Sequence, residues 1–169
     1  MALNEDWYPQ KDQEALRRAA LAAGGAAGLC IELGSWEGRS ALVIANALLD
    51  RAIYCVDRWQ VPYEGVTRDV EASFDLNTQD TINIVKVKSD VLAYCRDLAA
   101  RDVRLAFAHI DAAHDYNHVA DTILTLKPLC SPGAVLCGHD YRNAPGVFRA
   151  VRELLPGHEA DGQLWYWRA

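Results

Sequence analysis

Residues 29–49 have the pattern of a buried strand, a turn with two glycines and a helix, and this unit constrains the fold more than any other segment. The apolar run 29–31 predicts a strand over residues 29–33, and the largely apolar run 39–49 predicts the helix. Gly34 and Gly38 let the backbone of the turn approach a ligand closely, because they have no Cβ. The helix N-terminus behind them presents unpaired N–H groups. The segment therefore predicts a strand-helix unit with a ligand site at its turn.

Strand and helix patterns alternate along the rest of the chain, as they do in doubly wound α/β proteins. The predicted strands are 29–33, 52–57, 82–87, 103–110, 134–137 and 163–167, and the predicted helices are 14–23, 39–49, 68–74, 91–99, 116–126 and 147–155. We predict a Rossmann-like, mostly parallel sheet of about seven strands whose last strand is antiparallel. The 169 residues are expected to form one domain, with an N-terminal helix region (1–27), a ligand-binding and catalytic core (28–155) and C-terminal strands (156–169).

Charge and composition argue against several kinds of partner. The net charge is −6 at pH 7 and the charged residues are scattered, so we expect no nucleic-acid binding. The apolar run 19–31 is short and contains three glycines, so we expect no membrane span. Five cysteines without C-x-x-C spacing indicate reduced thiols in a cytoplasmic protein, and the acidic first residues do not resemble a secretion signal.

The turn after the first strand has the spacing E-x-G-x-x-x-G, from Glu32 to Gly38, instead of the G-x-G-x-x-G of dinucleotide-binding proteins. The Glu32 carboxylate would repel a pyrophosphate, but it suits a ligand with hydroxyl and ammonium groups such as S-adenosylmethionine. Asp57 ends the second strand, 23 residues after Gly34, and can accept hydrogen bonds from both ribose hydroxyls of an adenine nucleoside. The alternative is a surface aspartate that begins a turn.

Two further carboxylates, Asp111 and Asp140, follow the predicted fourth and fifth strands. If these strands pair in parallel, both side chains face one small volume, because neighbouring strands lie about 4.8 Å apart. Two carboxylates and an imidazole fit Mg²⁺ or Mn²⁺, whereas the alternative makes Asp140 a turn residue. His114 and His139 are the candidate general bases. We expect His114 to act if His139 binds a metal, and His139 to act if no metal binds.

Four blocks of residues together resemble class I S-adenosylmethionine-dependent methyltransferases, in particular the small-molecule family related to macrocin O-methyltransferase and the cephalosporin-hydroxylase-like proteins. The blocks are Ile31-Glu32-Leu33-Gly34-Ser35 with Gly38 and Ser40; Val56-Asp57-Arg58-Trp59; Ile110-Asp111 with His114, Tyr116 and Asp121; and Leu129-Cys130-Ser131-Pro132-Gly133 through Gly138-His139-Asp140-Tyr141 to Gly146-Val147. They occur in this order over roughly residues 28–155.

The resemblance implies roles for individual residues. The first loop would hold the methionine part of the donor, the acid after strand two its ribose, and the residues after strands two and three its adenine. The implied cofactor-binding residues are Glu32, Gly34, Ser35, Gly38, Ser40, Asp57, Arg58, Trp59, Ser89, Asp90 and Asp111. Macrocin-type relatives bind Mg²⁺ through an aspartate after strand four and an Asp-Asp pair after strand five. Asp111 matches the first, but the pair here is His139-Asp140, so one metal ligand differs.

The sequence therefore predicts methyl transfer from S-adenosylmethionine to a hydroxyl of a small molecule, with Asp111, His114 and His139 as catalytic residues. Two alternatives stay open: a nicotinamide-dependent oxidoreductase, which shares the acid after strand two, and an S-adenosylmethionine-binding module without catalysis. We expect segments 4–11 and 60–68, or a partner subunit, to cover the acceptor. A final edge strand with Trp165 and Trp167 would allow a homodimer.

Overall fold

The computed structural model describes residues 8–60 and 69–169, in which strands and helices alternate. The strands are β1 (Leu29–Leu33), β2 (Ile53–Asp57), β3 (Ile84–Lys88), β4 (Leu105–Ile110), β5 (Cys130–Gly138), β6 (Glu159–Asp161) and β7 (Leu164–Arg168). The helices are α1 (Gln10–Ala22), α2 (Arg39–Ala47), α3 (Val70–Thr78), α4 (Val91–Ala100), α5 (Tyr116–Leu126) and α6 (Pro145–Leu154), with a 3₁₀ turn at Lys127–Leu129. No helix in the described ranges is long and apolar enough to cross a membrane.

The seven strands form one sheet in the order β3-β2-β1-β4-β5-β7-β6. β1 to β5 pair in parallel, and β7 is antiparallel to both β5 and β6. The strand order reverses between β1 and β4, so the carboxyl ends of these two strands flank a crevice where ligands bind in such sheets. The predicted fold class, the pairing of strands one and four and the paired C-terminal strand are confirmed.

Helices cover both faces of the sheet, and each face has its own apolar core. α1, α2 and α3 pack on one face around residues such as Leu16 and Phe74. α4, α5 and α6 pack on the other face around residues such as Ile123 and Val151. All six residues of β4 are buried between them. Because both faces are covered, the strand ends and the loops that follow them are the parts of the sheet left to form a site.

The sequence does not predict β6, because its three residues are largely exposed and show no apolar alternation. β6 forms the edge of the sheet, and β7 therefore lies between two strands. Trp165 is fully buried in this position. The expectation that Trp165 and Trp167 lie on an edge strand of the sheet is wrong for this reason, and the homodimer stays a prediction.

Most boundaries differ from the predicted ones by one or two residues, and three elements, α1, α3 and β5, differ by more. α1 begins at Gln10 instead of residue 14, directly after Pro9, although its first residues are polar. α3 continues to Thr78 instead of ending at residue 74, and residue 68, its predicted start, lies outside the described residues. β5 begins at Cys130 because Pro132-Gly133, which suggested a turn, lies within the strand where the pairing with β4 shifts register.

Candidate active site

A cavity of about 890 Å³ opens at the carboxyl ends of β1, β2, β4 and β5. The reversal of strand order predicts a ligand at this place. The implied site residues on its wall are Gly34, Ser35, Ser40, Asp57, Arg58, Trp59, Asp90, Asp111, His114, His139 and Asp140. Glu32, Gly38 and Ser89 are not on the wall. The fold thus brings the first loop and the residues after β4 and β5 to one cavity.

The first loop is shaped by a close approach between Gly34 and the end of β4. Gly34 has a φ of 88°, and a Cβ at this position would lie 2.1 Å from the backbone oxygen of Asp111. A side chain would therefore have to displace backbone, which explains why glycine stands here. Gly38, also at φ 88°, is the N-cap of α2. The loop consequently lies against β4 and places Ser35 and Ser40 on the cavity wall.

The carboxylate of Asp57 holds this loop in place. Its Oδ2 accepts hydrogen bonds from the backbone N–H groups of Ser35 and Trp36, both at 3.0 Å. Its Oδ1 accepts one from the N–H of Trp59 at 2.8 Å. Asp57 is therefore more than a surface turn residue, because it joins the loops that follow β1 and β2. Its contact with the ribose hydroxyls stays a prediction. The ribose hydroxyls would donate to the same two carboxylate oxygens that already accept hydrogen bonds from the loop N–H groups.

Trp59 forms one wall of the cavity. Its side chain is nearly buried, its ring packs on Phe74 with centroids 4.8 Å apart, and its Nε1 donates a hydrogen bond to the backbone oxygen of Trp36 at 2.8 Å. The ammonium group of Lys86 lies 5.0 Å from the centre of the Trp59 ring. The ring is therefore held from several sides and offers the cavity a rigid apolar surface, as the predicted adenine contact requires.

The rim beside Trp59 is polar. The guanidinium of Arg58 lies 3.7 Å from the carboxylate of Asp90. Asp90 is also the N-cap of α4, because its Oδ1 accepts a hydrogen bond from the N–H of Ala93 at 2.9 Å. The hydroxyl of Ser89 donates to the backbone oxygen of Asp90 instead of facing the cavity. Of the two residues expected at the adenine edge, the structure thus places Asp90 on the wall and Ser89 behind it.

Glu32 lies beneath the first loop. Its side chain is fully buried, and neither carboxylate oxygen has a hydrogen-bond partner among the described residues. The Nδ1 atom of His109, on the neighbouring strand β4, lies 3.5 Å from Oε1, and the Nε2 atom of His109 contacts the Tyr8 hydroxyl at 3.1 Å. Buried polar groups normally have a partner in the protein, in water or in a ligand. The contact between Glu32 and the donor stays a prediction.

Four side chains after β4 and β5 form what we call the reacting corner: Asp111, His114, His139 and Asp140. The Nε2 atom of His114 lies 3.1 Å from Oδ2 of Asp140 and 3.7 Å from Oδ1 of Asp111. The Nδ1 atom of His139 lies 3.6 Å from the same oxygen of Asp140. Two carboxylates that would repel each other are thus bridged by an imidazole that can carry a positive charge. No lysine or arginine stands directly beside either aspartate in the sequence, and His114 supplies the positive charge instead.

The charges of the reacting corner shift the pKa of each imidazole upward. The carboxylates of Asp111 and Asp140, which contact the ring, raise the pKa of His114 to about 10, against the opposing effect of its partial burial. Burial lowers the pKa of His139, but Asp140, Asp111 and Asp12 together outweigh it, so the pKa is raised. The imidazoles of His114 and then His139, both close to the carboxylate, hold the pKa of Asp140 well below its usual range. His114 is therefore an imidazolium at neutral pH and suits the counter-charge better than the base.

Two residues that the sequence does not reveal hold His139 from the N-terminal side. Oδ2 of Asp12, in α1, lies 3.1 Å from Nε2 of His139. The ring of Tyr8 stacks on the imidazole with centroids 4.3 Å apart and an interplanar angle of 23°. The sequence contains one signal for Asp12, because it is in helical phase with the buried Ala15, Leu16 and Ala19 of α1. Tyr8 precedes the helix and has no such pattern.

A family model described as a methyltransferase domain matches residues 31–141, a range that contains the first loop and the whole reacting corner. The chain belongs to this family. The prediction of a class I S-adenosylmethionine-dependent methyltransferase is confirmed, and the family match favours it over a nicotinamide-dependent oxidoreductase. No curated protein matches the chain in sequence.

Solved structures of methyltransferases share the fold of this one. The O-methyltransferase NovP is 21% identical, with a TM-score of 0.70 over 94% of this chain and 79% of its own. CalS11, a TDP-rhamnose 3'-O-methyltransferase of calicheamicin biosynthesis, is 17% identical, with a TM-score of 0.71 over 96% and 80%. The O-methyltransferase TomG from Streptomyces achromogenes, solved with S-adenosylmethionine, is 16% identical, with a TM-score of 0.67 over 93% and 79%. At these identities the similarity establishes the fold alone.

The reacting corner of this methyltransferase also contains the predicted donor set for a metal ion. One ligand atom from each of Asp111, His139 and Asp140 lies within 4.8 Å of the other two. Carboxylate oxygens and an imidazole nitrogen, completed by water, suit Mg²⁺ or Mn²⁺. The residues therefore fit a divalent cation. His114 contacts the same two carboxylates, so an imidazolium and a cation would compete for this position.

The segments that the sequence predicts over the acceptor fall only partly within the structure. Residues 4–7 and 61–68 lie outside the described residues. Tyr8 and Gln60, which border them, both line the cavity. The chain on either side of the cavity thus leads directly into these two segments, and their role as a cover stays a prediction.

Proposed function

We propose that this methyltransferase transfers the methyl group of S-adenosylmethionine to a hydroxyl of a small molecule. One observation carries the proposal: the glycine loop after β1 and the reacting corner line the same cavity. The first supplies a place for the donor, and the second supplies groups that can bind and deprotonate a hydroxyl beside it. The fold neighbours NovP, CalS11 and TomG are O-methyltransferases, which supports oxygen as the methylated atom.

The donor lies between the first loop and the Trp59 wall. The loop from Gly34 to Ser40 receives the methionine part, and Asp57, Arg58, Trp59 and Asp90 surround the adenosine. The carboxylates of the reacting corner, on the wall of the same cavity, would attract the positive charge of the sulfonium. Because the sulfonium already makes the methyl group electrophilic, the protein has mainly to align the acceptor oxygen in line with the breaking C–S bond.

The acceptor hydroxyl loses its proton at the reacting corner. Its oxygen attacks the methyl carbon, the C–S bond breaks, and S-adenosylhomocysteine leaves with the electron pair on sulfur. The proton passes to the ring of His139, which lines the cavity, while His114 stays an imidazolium and holds Asp111 and Asp140 in place. Asp111, directly after β4, is the residue of the reacting corner whose backbone Gly34 of the first loop approaches, and it helps to orient the acceptor.

Mg²⁺ or Mn²⁺ is a second candidate for the counter-charge at this corner. Asp111, His139 and Asp140 would hold the ion, and it would lower the pKa of the acceptor hydroxyl. With such an ion bound, His114 would leave the carboxylates and would be the available base. The convergence of three ligand atoms supports this candidate, and the position of His114 between the two carboxylates supports the metal-free one.

We further propose that residues 1–169 act as one cytoplasmic domain whose partner is a small-molecule acceptor, with no nucleic acid or membrane. A single continuous sheet through the described residues supports one domain. Five cysteines without disulfides, four of them buried, support a reducing compartment. A homodimer that covers the acceptor is a further proposal, and sedimentation of the purified chain tests it.

Calorimetric titration with S-adenosylhomocysteine and with NAD tests the donor. We expect binding of S-adenosylhomocysteine and none of NAD, and the reverse would favour an oxidoreductase. Methyl transfer is then measured as S-adenosylhomocysteine formed from S-adenosylmethionine with a panel of dihydroxyphenols and nucleotide deoxysugars. Donor binding without turnover on any hydroxyl compound of the panel would favour a binding module without catalysis.

The same assay separates the two forms of the reacting corner. We expect His139→Ala to abolish turnover, and His158→Ala, a histidine paired with Tyr141 away from the cavity, to retain it. Full wild-type activity in excess EDTA supports the metal-free form. Activity that EDTA removes and Mn²⁺ or Mg²⁺ restores supports the cation. Normal turnover in both His139→Ala and Asp140→Ala would contradict the catalytic role of the corner.

A further inference from the structure

His139 is contacted on its far side by a residue that does not belong to the cavity wall. His139 lines the cavity, whereas Asp12 is 4% exposed and lies behind it in α1. Oδ2 of Asp12 is 3.1 Å from Nε2 of His139. Nδ1, the other ring nitrogen, lies on the side of Asp140, at 3.6 Å from its Oδ2. The two nitrogens therefore have different surroundings, one buried against α1 and one toward the reacting corner.

The chemistry of Asp12 decides which nitrogen carries the proton in the neutral ring. An ionised carboxylate only accepts hydrogen bonds, so the Nε2 atom of His139 must be the donor. Asp12 lies in the first turn of α1, where the partial positive charge of the helix N-terminus attracts a carboxylate. A buried charge of this kind is retained in proteins when it is paired. The lone pair of neutral His139 is then on Nδ1, facing the reacting corner.

The surroundings of the pair restrict its movement. The Tyr8 ring stacks on the imidazole at 4.3 Å, and the Tyr8 hydroxyl is fixed by Nε2 of His109 at 3.1 Å. On the other side of Asp12, a Cβ added to Gly162 would lie 2.9 Å from Oδ1, so the turn between β6 and β7 packs closely against the carboxylate. Rotation of the imidazole would break the bond to Asp12 and the stacking on Tyr8 together.

We propose that Asp12 is a positioning residue that fixes the tautomer and orientation of His139, so that the lone pair of Nδ1 faces the acceptor. The proposal deepens the proposed function and rests on it for the catalytic consequence, but the tautomer is a property of the protein alone. Nδ1, which carries this lone pair, is the atom that takes the acceptor proton in the metal-free form of the corner. It is equally the atom that a divalent cation would bind, as in metal sites where a carboxylate orients the ligating histidine.

Nuclear magnetic resonance tests the tautomer without any substrate. Long-range ¹H–¹⁵N correlation spectra show which ring nitrogen carries the proton, and His139→Gln assigns the signal among the five histidines. At a pH where the ring is neutral, we expect the Nε2–H tautomer in the EDTA-treated wild type and a shift toward Nδ1–H in Asp12→Asn. An Nδ1–H tautomer in the wild type would overturn the proposal, whether or not the variant folds.

Kinetics test the consequence with a matched control on the same helix. Arg18→Gln removes the ion pair between α1 and Asp161 of β6, at 2.5 Å, without contacting His139. We expect Asp12→Asn to lower kcat roughly 10- to 100-fold with little change in KM for S-adenosylmethionine, and Arg18→Gln to leave both unchanged. An equal loss in both variants, or a loss in Asp12→Asn with an unchanged tautomer, would contradict positioning. If the wild type transfers no methyl group but shows the Nε2–H tautomer, the proposed function fails and the role of Asp12 in holding His139 stands.

Discussion

Replacement of Asp57 separates two roles that its carboxylate combines. In Asp57→Ala three backbone N–H groups, those of Ser35, Trp36 and Trp59, lose their acceptor. A hydrogen bond to a charged group contributes roughly 1.5–3 kcal/mol, so the three together set an upper bound of roughly 4–9 kcal/mol. The bonds lie at the rim of an open cavity, where water replaces part of the loss. We therefore expect the free energy of unfolding to fall by about 2–4 kcal/mol.

Urea unfolding with and without S-adenosylhomocysteine, together with calorimetric titration, measures both roles. We expect Asp57→Ala to weaken donor binding at least tenfold as well, since the loop that receives the methionine part loses its anchor. Asp69→Ala is the matched control, because among the described residues its carboxylate accepts a hydrogen bond from one N–H, that of Ala72, as the N-cap of α3. It should cost about 1 kcal/mol and leave donor affinity intact. An unchanged free energy of unfolding in Asp57→Ala, with donor affinity lost, would refute the anchoring role and leave only the ribose contact.

Two further predictions concern the loop and the reacting corner. Gly34→Ala places a Cβ 2.1 Å from the Asp111 backbone oxygen and should lower the melting temperature strongly. Gly25→Ala is the control, because its Cβ would have no heavy atom within 4 Å, and it should leave the melting temperature unchanged. Equal melting temperatures of the two variants would contradict the close approach. His114→Gln should destabilise the metal-free protein by about 1–2 kcal/mol near pH 6, a figure reduced for the solvent exposure of His114. Because the folded pKa of about 10 lies above the unfolded value of 6.5, this stabilisation is complete below the unfolded value and is lost as the pH rises through about 10. A difference between wild type and variant that grows with pH in urea unfolding would show that the sign is wrong.

The sequence predicts the central strands and the donor side of the cavity because both depend on local patterns. The bounds of β1 and α5 agree with the predicted ones, since β1 ends before the glycine turn and the helical period of α5 ends before Pro128. The rule that ligands bind at the carboxyl ends of strands then selects Asp57, Asp111 and Asp140 without any knowledge of contacts. All three lie on the wall of the cavity.

The parts that the sequence does not predict depend on contacts between distant residues. Asp12 and His139 are 127 positions apart, and only the packing of α1 against the sheet brings them together. β6 has no apolar pattern because it is an exposed edge, and it forms by pairing with β7. The role of His114 is of the same kind. The chemistry of its imidazole makes it a candidate base in the sequence, whereas its contact with Asp140 makes it the counter-charge of two carboxylates.

The two halves of the cavity differ in how much of the chain they require. The donor side is built from residues between Gly34 and Asp90. They lie at the ends of β1 and β2, in the loops that follow these strands and directly before α4. The reacting corner needs β4 and β5 and, through Asp12 and Tyr8, the docking of α1 by its buried face around Leu16. Loosening of α1 would therefore leave the donor loop anchored by Asp57 but release His139 from both of its N-terminal contacts. The donor loop therefore depends on the contacts of Asp57, whereas the orientation of His139 depends on the packing of α1. The donor loop and His139 nevertheless line one cavity.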